Sequence, residues 1–196
     1  MPPEVKLAST LHYLGGGEVY DICDEFGYDR STTYSAINMT IRSILASDIR
    51  LYAFNPDDPV WLQQKAEMMM GSFPNNPLGA QCVAAIDGIA IEIEEPEAEY
   101  GPIAYRNQKG FFAIVCEGMC DADYRFLMFD CSSPGGTHDS VAFEKTKHYH
   151  TISAGLPGSY WIAGDSAYAL SGSLLKPYVK PKTIWEDSYN IHHSQL

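Results

Sequence analysis

Three aspartates stand where a carboxylate could do chemistry: Asp87 in AAIDGIA, Asp139 in PGGTHDS and Asp165 in IAGDSAY. A charged side chain in or beside an apolar segment is costly unless a cation or a hydrogen-bond donor compensates it. Hard oxygen ligands of this kind select Mg²⁺ or Mn²⁺, and two such ions can promote phosphodiester cleavage. We therefore take the three aspartates as candidate metal ligands, with Asp87 and Asp165 as the candidate catalytic pair.

Each aspartate also has a purely structural interpretation. Asp139 could be the N-cap of the helix that follows it, and Asp165 could form a turn or a cap. Asp87, followed by Gly88, could mark a bulge or a turn in a strand. The residues alone leave these alternatives open, but the three positions considered together favour the metal site.

The five cysteines are odd in number and lie mostly in apolar segments, so we expect reduced thiols and no disulfide framework. Cys116 and Cys120 have C-x-x-x-C spacing, which raises the possibility of zinc. No second Cys or His pair stands at zinc-finger spacing, and the pair lies in the strand-like run FFAIVCEGMC. Buried thiols are therefore the favoured interpretation.

The first 53 residues are predicted to be helical. A helix through EVKLASTLHYL ends at the glycines 15–17, and a second runs from Glu18 to about Phe26. A third, capped by Ser31, would bury the face Tyr34, Ile37, Ile41, Ile44 and Leu45. This helix-turn-helix pattern fits an ordinary bundle and a DNA-reading module equally well. The polar side chains available to contact DNA bases are those of Arg30, Thr32, Thr33 and Asn38. Nearby acidic residues weaken the DNA-binding interpretation.

The rest of the chain changes to an α/β (α+β) pattern. Residues 54–80 are interpreted as a proline-punctuated connector with a short helix, and residues 81–196 as one domain. Three strands are predicted in CVAAIDGIAIEI, GFFAIVCEGMC and YRFLMFDCSS, followed by a helix in SVAFEKTKHYH, a buried strand in YWIAGD and a helix in ALSGSLLKPY. A meander followed by strand, helix, strand indicates a mixed sheet with flanking helices.

The net charge is −12, from 13 basic and 25 acidic residues. A protein that holds DNA through phosphates alone should be basic, so the chain binds nucleic acid weakly, uses a basic partner, or binds cations. No apolar run approaches the roughly 20 residues of a membrane-spanning helix, and the N-terminus lacks the features of a secretory signal. We expect an intracellular protein that does not associate with membranes.

The predicted element order resembles the ribonuclease-H-like fold, in which the first and fourth strands are neighbours. AIDG, YRNQKGFF, CDADYRF, PGGTHDS and GDSAYALSGSLLKPY, in that order, are similar to motifs of the Harbinger (PIF-type) transposase-derived nucleases of the DDE superfamily. The resemblance implies that Asp87, Asp139 and Asp165 are divalent-metal ligands. It also implies that Arg106, Asn107 and Lys109 lie near the nucleic-acid backbone. A basic Myb-like partner and a nuclear location are further implications, with a cytoplasmic location expected in the partner's absence.

One departure from the family pattern concerns a fourth carboxylate. The resemblance implies a glutamate on a helix that follows a YN-x-x-H segment, and here the matching YNIHHSQL is the last segment of the sequence. Glu186 precedes this segment and does not align with that glutamate. We therefore describe residues 81–196 as a C-terminally incomplete nuclease domain. We expect the 196-residue chain to bind Mg²⁺ or Mn²⁺ weakly and to cut DNA slowly.

These observations predict a metal-dependent DNA nuclease or transposase-derived protein that hydrolyses phosphodiester bonds. The alternative is a domesticated, non-catalytic interaction or DNA-binding module that retains a divalent-metal site. An unrelated acidic protein with structural aspartates is the third possibility. Two other enzyme classes are disfavoured, because the sequence has no G-x-S-x-G elbow and no P-loop or dinucleotide fingerprint.

Overall fold

A computed structural model describes residues 1–47 and 53–196 of the chain. The chain divides into two compact units, residues 1–50 and residues 51–196. The first unit is helical and the second is built on a sheet, so each is considered separately below.

Residues 1–47 of the first unit form three helices: α1 (Pro3–Leu14), α2 (Val19–Phe26) and α3 (Arg30–Leu45). Helix α2 ends at Gly27, whose φ of 70° lies in the left-handed region that glycine adopts without a Cβ penalty. Asp29, and not Ser31 as predicted, caps α3 by accepting a hydrogen bond from the Thr32 N–H. Hydrogen bonds from Thr32 and Ser31 also hold the pKa of Asp29 far below its usual range. The predicted helix-turn-helix pattern is confirmed, and its turn begins at Gly27.

The predicted buried face of α3 is only partly correct. Ile37 is buried, as is Ile22 of α2, but Tyr34 is 42% exposed and Leu45 is 74% exposed. The contact surface of α3 is formed by the small residues Thr33 and Ala36 beside Ile37. Small side chains let helices approach closely, and large ones remain at the margins of such a contact.

The second unit is built on a five-stranded mixed sheet in the order β3-β2-β1-β4-β5. Strands β1, β2 and β3 form an antiparallel meander, and β4 and β5 extend it in parallel from the other side of β1. The five strands are β1 (Cys82–Glu92), β2 (Ala113–Cys120), β3 (Phe126–Pro134), β4 (Trp161–Gly164) and β5 (Leu174–Leu175). The first and fourth strands are neighbours, so the predicted ribonuclease-H-like sheet is confirmed.

Within residues 53–196, four α-helices accompany this sheet: α4 (Pro59–Ser72), α5 (Asp139–Glu144), α6 (Tyr149–Ala154) and α7 (Ile184–His193). The helix predicted in SVAFEKTKHYH is present as two short ones, α5 and α6. The helix predicted in ALSGSLLKPY is wrong, because that segment contains β5. There the Ser173 hydroxyl accepts the Leu156 N–H, and the backbone of Gly172 lies against Gly155, so tertiary contacts override the local helical pattern.

Burial changes abruptly along β1. Residues 82–86 are mostly buried on both faces, whereas nearly all residues from Asp87 onward are exposed or partly exposed. Helix α4 packs against β1, and its Leu62 and Ala66 belong to the main core. Asp87 therefore marks the point where the central strand leaves the core.

No helix in residues 1–47 or 53–196 has the length and apolarity to cross a membrane.

The expectation that all five cysteines are reduced is wrong for one pair. Cys116 of β2 and Cys131 of β3 form a disulfide between neighbouring strands. Cys23, Cys82 and Cys120 are free thiols. Strand register brings Cys116 and Cys131 together, and their 15-residue separation in sequence gave no indication of it.

Candidate metal centre

Asp87 and Asp165 occupy equivalent places on two parallel neighbours. Ile86 of β1 pairs with Gly164, the last residue of β4, and the next residue in the sequence is in each case an aspartate. Adjacent strands lie about 4.8 Å apart, so the two backbones bring these aspartates close together where β4 ends. The adjacency of the first and fourth strands agrees with the sequence prediction, and the ligand role of the two aspartates stays a prediction.

Each of these aspartates also accepts a local hydrogen bond. Oδ1 of Asp165 accepts the Ala167 N–H at 2.8 Å, which is the turn interpretation considered from sequence. Oδ1 of Asp87 accepts the N–H of its neighbour Gly88 at 2.8 Å. Both side chains are exposed, so neither local bond removes the carboxylate from solvent or from a ligand.

Asp139 is the first residue of α5, and His138, not Asp139, occupies the N-cap position. Burial raises the pKa of Asp139, and the negative charges of Asp165 and Asp87 raise it further, although His138 lowers it. The three predicted aspartates therefore lie within electrostatic reach of one another. A cation would relieve the repulsion among them.

A fourth carboxylate, which sequence analysis missed, lies in the same region. Glu117 of β2 pairs with Gly88 of β1 and is 1% exposed. The Tyr168 hydroxyl donates to its Oε2 at 2.6 Å, while its Oε1 has no hydrogen-bond partner. Burial raises the pKa of Glu117 to about 7, with Tyr168 opposing the shift and Asp139 and Asp87 adding to it. The signal in the sequence was a glutamate inside the apolar strand AIVCEGMC.

The side chains of β1 alternate between two faces of the sheet. Asp87 pairs with Gly118, so its Cβ leaves the strand on the face opposite to that of the Gly88–Glu117 pair. Asp87 accordingly borders an apolar groove that includes Phe126 and Phe129. Within residues 1–47 and 53–196, no three His, Cys, Asp or Glu side chains are grouped closely enough to hold an ion as they stand. The acids are neighbours without forming a closed ligand shell.

A polar groove of about 480 Å³ lies on the other face, with Asp139 and Gly88 in its wall. Asn107 and Lys109 of the YRNQKG block line it, whereas Arg106 pairs with Phe112 in an isolated bridge outside it. The Asn107 side chain accepts the backbone N–H groups of Lys109 and Phe111, which fixes this turn. A basic and an amide side chain thus share one groove with an acid.

Glu186 has a different role from these acids. It forms a capping box with Thr183 at the start of α7, accepting the backbone N–H of Thr183 and that of Lys182. The capping contacts engage its carboxylate at a helix N-terminus.

The donor set fits a divalent cation of the hard type. All the candidate ligands are carboxylates, the chemistry that Mg²⁺ and Mn²⁺ prefer. The unpartnered Oε1 of Glu117 is a buried acceptor with no protein donor, which a cation would satisfy. Asp139 and Glu117 approach one point beside Gly88 and could hold such an ion there, and Asp87 and Asp165 lie within electrostatic reach of Asp139.

Comparison with known proteins shows the protein family to which the chain belongs. The model of the DDE superfamily endonuclease family matches residues 86–196, which is more than half of the chain and includes all four acids. The chain belongs to this family of DDE superfamily endonucleases.

Several curated proteins are similar over nearly the whole chain. The rat protein named "Putative nuclease HARBI1" is 31% identical over 194 residues, which are 98% of this chain and 53% of that protein. The mouse protein of the same name is 30% identical, with the same coverage. The Arabidopsis thaliana protein named "Protein ALP1-like" is 27% identical over 205 residues, 97% of this chain and 48% of that protein. The chain spans about half the length of these relatives. No solved structure matches it.

Proposed function

We propose that the protein is a metal-dependent nuclease that hydrolyses phosphodiester bonds in DNA. The observation that carries the proposal is the placement of Asp87 and Asp165 directly after the paired residues Ile86 of β1 and Gly164 of β4, with Asp139 in electrostatic reach of both. Bound Mg²⁺ or Mn²⁺ would activate water and neutralise the charge that develops on the leaving oxygen. Family membership and the names of the relatives support a nuclease.

The residues of the chain contribute position and charge to this reaction. Asp87 and Asp165 would hold the cation from two adjacent strands, and Asp139 would hold it from the start of α5. Lys109 lies in the groove that contains Asp139, where its ammonium group can bind a phosphate of the substrate. The aspartates act as ligands, so no covalent intermediate with the protein is involved.

The substrate is expected to reach this site with help from another protein. The net charge of −12 opposes binding to a polyanion, and only local features such as Lys109 counter it. We propose a basic, Myb-like partner that brings the enzyme to DNA and into the nucleus. Because residues 1–196 cover about half the length of the relatives, the activity is proposed for the protein as a whole. The 196-residue chain alone is expected to cut slowly.

A nicking assay tests the proposal. Supercoiled plasmid is incubated with excess 196-residue chain and Mn²⁺, and nicking by wild type is compared with Asp87→Ala and Asp165→Asn. Loss of either ligand is expected to slow nicking about 1000-fold, since several kcal/mol of transition-state stabilisation disappear. Asp57→Asn, at an exposed position before α4, is the matched control and should nick like wild type. Equal nicking by wild type and Asp87→Ala would contradict the proposed function.

The second candidate function is a non-catalytic interaction or DNA-binding module. It is favoured by one observation: the described residues contain no closed group of three or more potential ligands. Mn²⁺ binding that depends on Asp87 and Asp139, without nicking by the chain or by a longer form of the protein, would support this alternative.

A further inference from the structure

The space above Gly88 is bounded by two carboxylates from different elements. A Cβ built on Gly88 would lie 2.8 Å from Oδ1 of Asp139 and 3.1 Å from Oε1 of Glu117. Both oxygens therefore approach one point, which is open only because residue 88 has no side chain. Two carboxylate oxygens directed at one small space repel each other unless a cation or a proton lies between them.

Glu117 reaches this point from the interior of the protein. Its side chain is buried, and its Oε1 has no donor, so the free energy of removing that oxygen from water is not compensated by the protein. The Tyr168 hydroxyl binds Oε2 and so fixes the rotation of the carboxylate. Tyr168 is itself fully buried and packs edge-to-face on Phe143 of α5. The unpartnered oxygen is thus held in place toward Gly88 and Asp139.

We propose that Glu117 is a ligand of the divalent cation, binding through Oε1 the same ion as Asp139. The inference rests on the metal centre of the proposed function and adds a carboxylate from β2 to the three aspartates. Tyr168 is then a positioning residue, because it acts on the ion only through Glu117. The ion is of the Mg²⁺ or Mn²⁺ class, since every donor is a carboxylate oxygen.

The test measures Mn²⁺ binding without reference to catalysis. Free Mn²⁺ is followed by electron paramagnetic resonance during titration of the 196-residue chain, and circular dichroism checks that each variant folds. Loss of an outer partner of a metal ligand typically costs about 10- to 100-fold in affinity, so loss of a ligand should cost at least that. Glu117→Gln is expected to raise the Kd for Mn²⁺ by about 10- to 100-fold. Glu144→Gln removes the same charge at an exposed position of α5 and should leave the Kd unchanged.

Gly88→Ala provides a second variant that alters no charge. Its methyl group would occupy the space between the two oxygens, so we expect the Kd for Mn²⁺ to rise about tenfold or more. Gly71→Ala, in α4, where a Cβ meets nothing within 4 Å, is its control. If Glu117→Gln does not fold, Gly88→Ala decides the matter.

The outcomes separate this inference from the proposed function. Wild-type affinity in Glu117→Gln, together with weakened binding in Asp87→Asn and Asp139→Asn, would overturn the role of Glu117 and leave the nuclease proposal intact. Weak binding in Glu117→Gln with no nicking by any form of the protein would support the ligand and count against the nuclease. Absence of Mn²⁺ binding by wild type would overturn both.

Discussion

Two buried acids lie close together in sequence but have opposite environments: Glu117 lies in β2, and Asp121 directly follows that strand. Asp121, 3% exposed, accepts three hydrogen bonds: from the ammonium of Lys65 at 2.6 Å and from the backbone N–H groups of Asp123 and Arg125. Glu117, 1% exposed, accepts a single hydrogen bond from the part of the chain that the structure describes, and its donor is the Tyr168 hydroxyl. One acid is fully paired within the protein, and the other has an oxygen left without a donor.

The pKa values of the two acids shift in opposite directions, as their hydrogen bonding would predict. Burial acts to raise the pKa of Asp121, but the hydrogen bond from Lys65 and those from the backbone outweigh it and hold the pKa below its usual value. Burial and neighbouring acids raise the pKa of Glu117. An acid that serves structure is therefore paired in place, while an unpaired buried acid points to a ligand that the protein chain does not provide.

The largest expected effect on stability comes from removing the charge of Asp121, which is paired with Lys65. Asp121→Asn leaves the Lys65 ammonium, a partly buried charge, without its partner, so the free energy of unfolding should fall by about 3–5 kcal/mol. Glu117→Gln keeps the shape of its side chain and removes an uncompensated charge, so without metal it should change stability by less than about 1 kcal/mol. Urea unfolding measures both. Similar losses in the two variants would contradict the distinction between the two acids.

Asp123→Asn is the matched control for that comparison. Asp123 lies two residues from Asp121, and its contact with Arg125 is a 4.0 Å pair between exposed side chains. Exposed pairs contribute about 0–1 kcal/mol, so this variant should unfold nearly like wild type.

The sequence predicted the sheet better than it predicted the acids. Runs rich in β-branched and aromatic residues placed β1 to β3, and an apolar run placed β4. The apolar surroundings of Asp87 singled it out as a candidate ligand, a role that stays a prediction. The same argument applies to Glu117 inside AIVCEGMC, but its importance depends on pairing with Gly88 and on Tyr168, which is 51 residues away. Contacts of that range are set by register and tertiary packing, and sequence periodicity does not contain them.

The helix predicted in ALSGSLLKPY failed for a related reason. Its local pattern is helical, yet the Ser173 hydroxyl accepts the Leu156 N–H and the Ser173 carbonyl accepts the Ile162 N–H. These long-range hydrogen bonds require an extended chain. The disulfide of Cys116 and Cys131 likewise follows from the register of β2 and β3. Local patterns specify which elements form, and long-range pairing decides which side chains meet.

A smaller effect on stability is expected from removing the Tyr168 hydroxyl, which donates a hydrogen bond to Glu117. Tyr168→Phe removes the hydroxyl and leaves both oxygens of a buried carboxylate without a partner, so the free energy of unfolding should fall by about 1–3 kcal/mol. Tyr149→Phe is the control, since Tyr149 also packs on Phe143 but is only partly buried. Equal stability of Tyr168→Phe and wild type in urea would show that this hydrogen bond does not anchor Glu117.

The smallest expected effect is the pH dependence of the Asp121 contribution. Its pKa is lowered on folding, so the stabilisation is fully present above the unfolded pKa of about 3.9 and is lost as pH falls through the lower folded value. At pH 4 an ordinary aspartate is nearly half protonated in the unfolded chain, which costs less than about 0.5 kcal/mol of the stabilisation. The difference in unfolding free energy between wild type and Asp121→Asn should therefore be nearly constant from pH 7 to pH 4 and shrink below that. If wild type instead gained stability relative to Asp121→Asn as pH fell from 7 to 4, the pKa of Asp121 would be raised by folding, and the contrast with Glu117 would not hold.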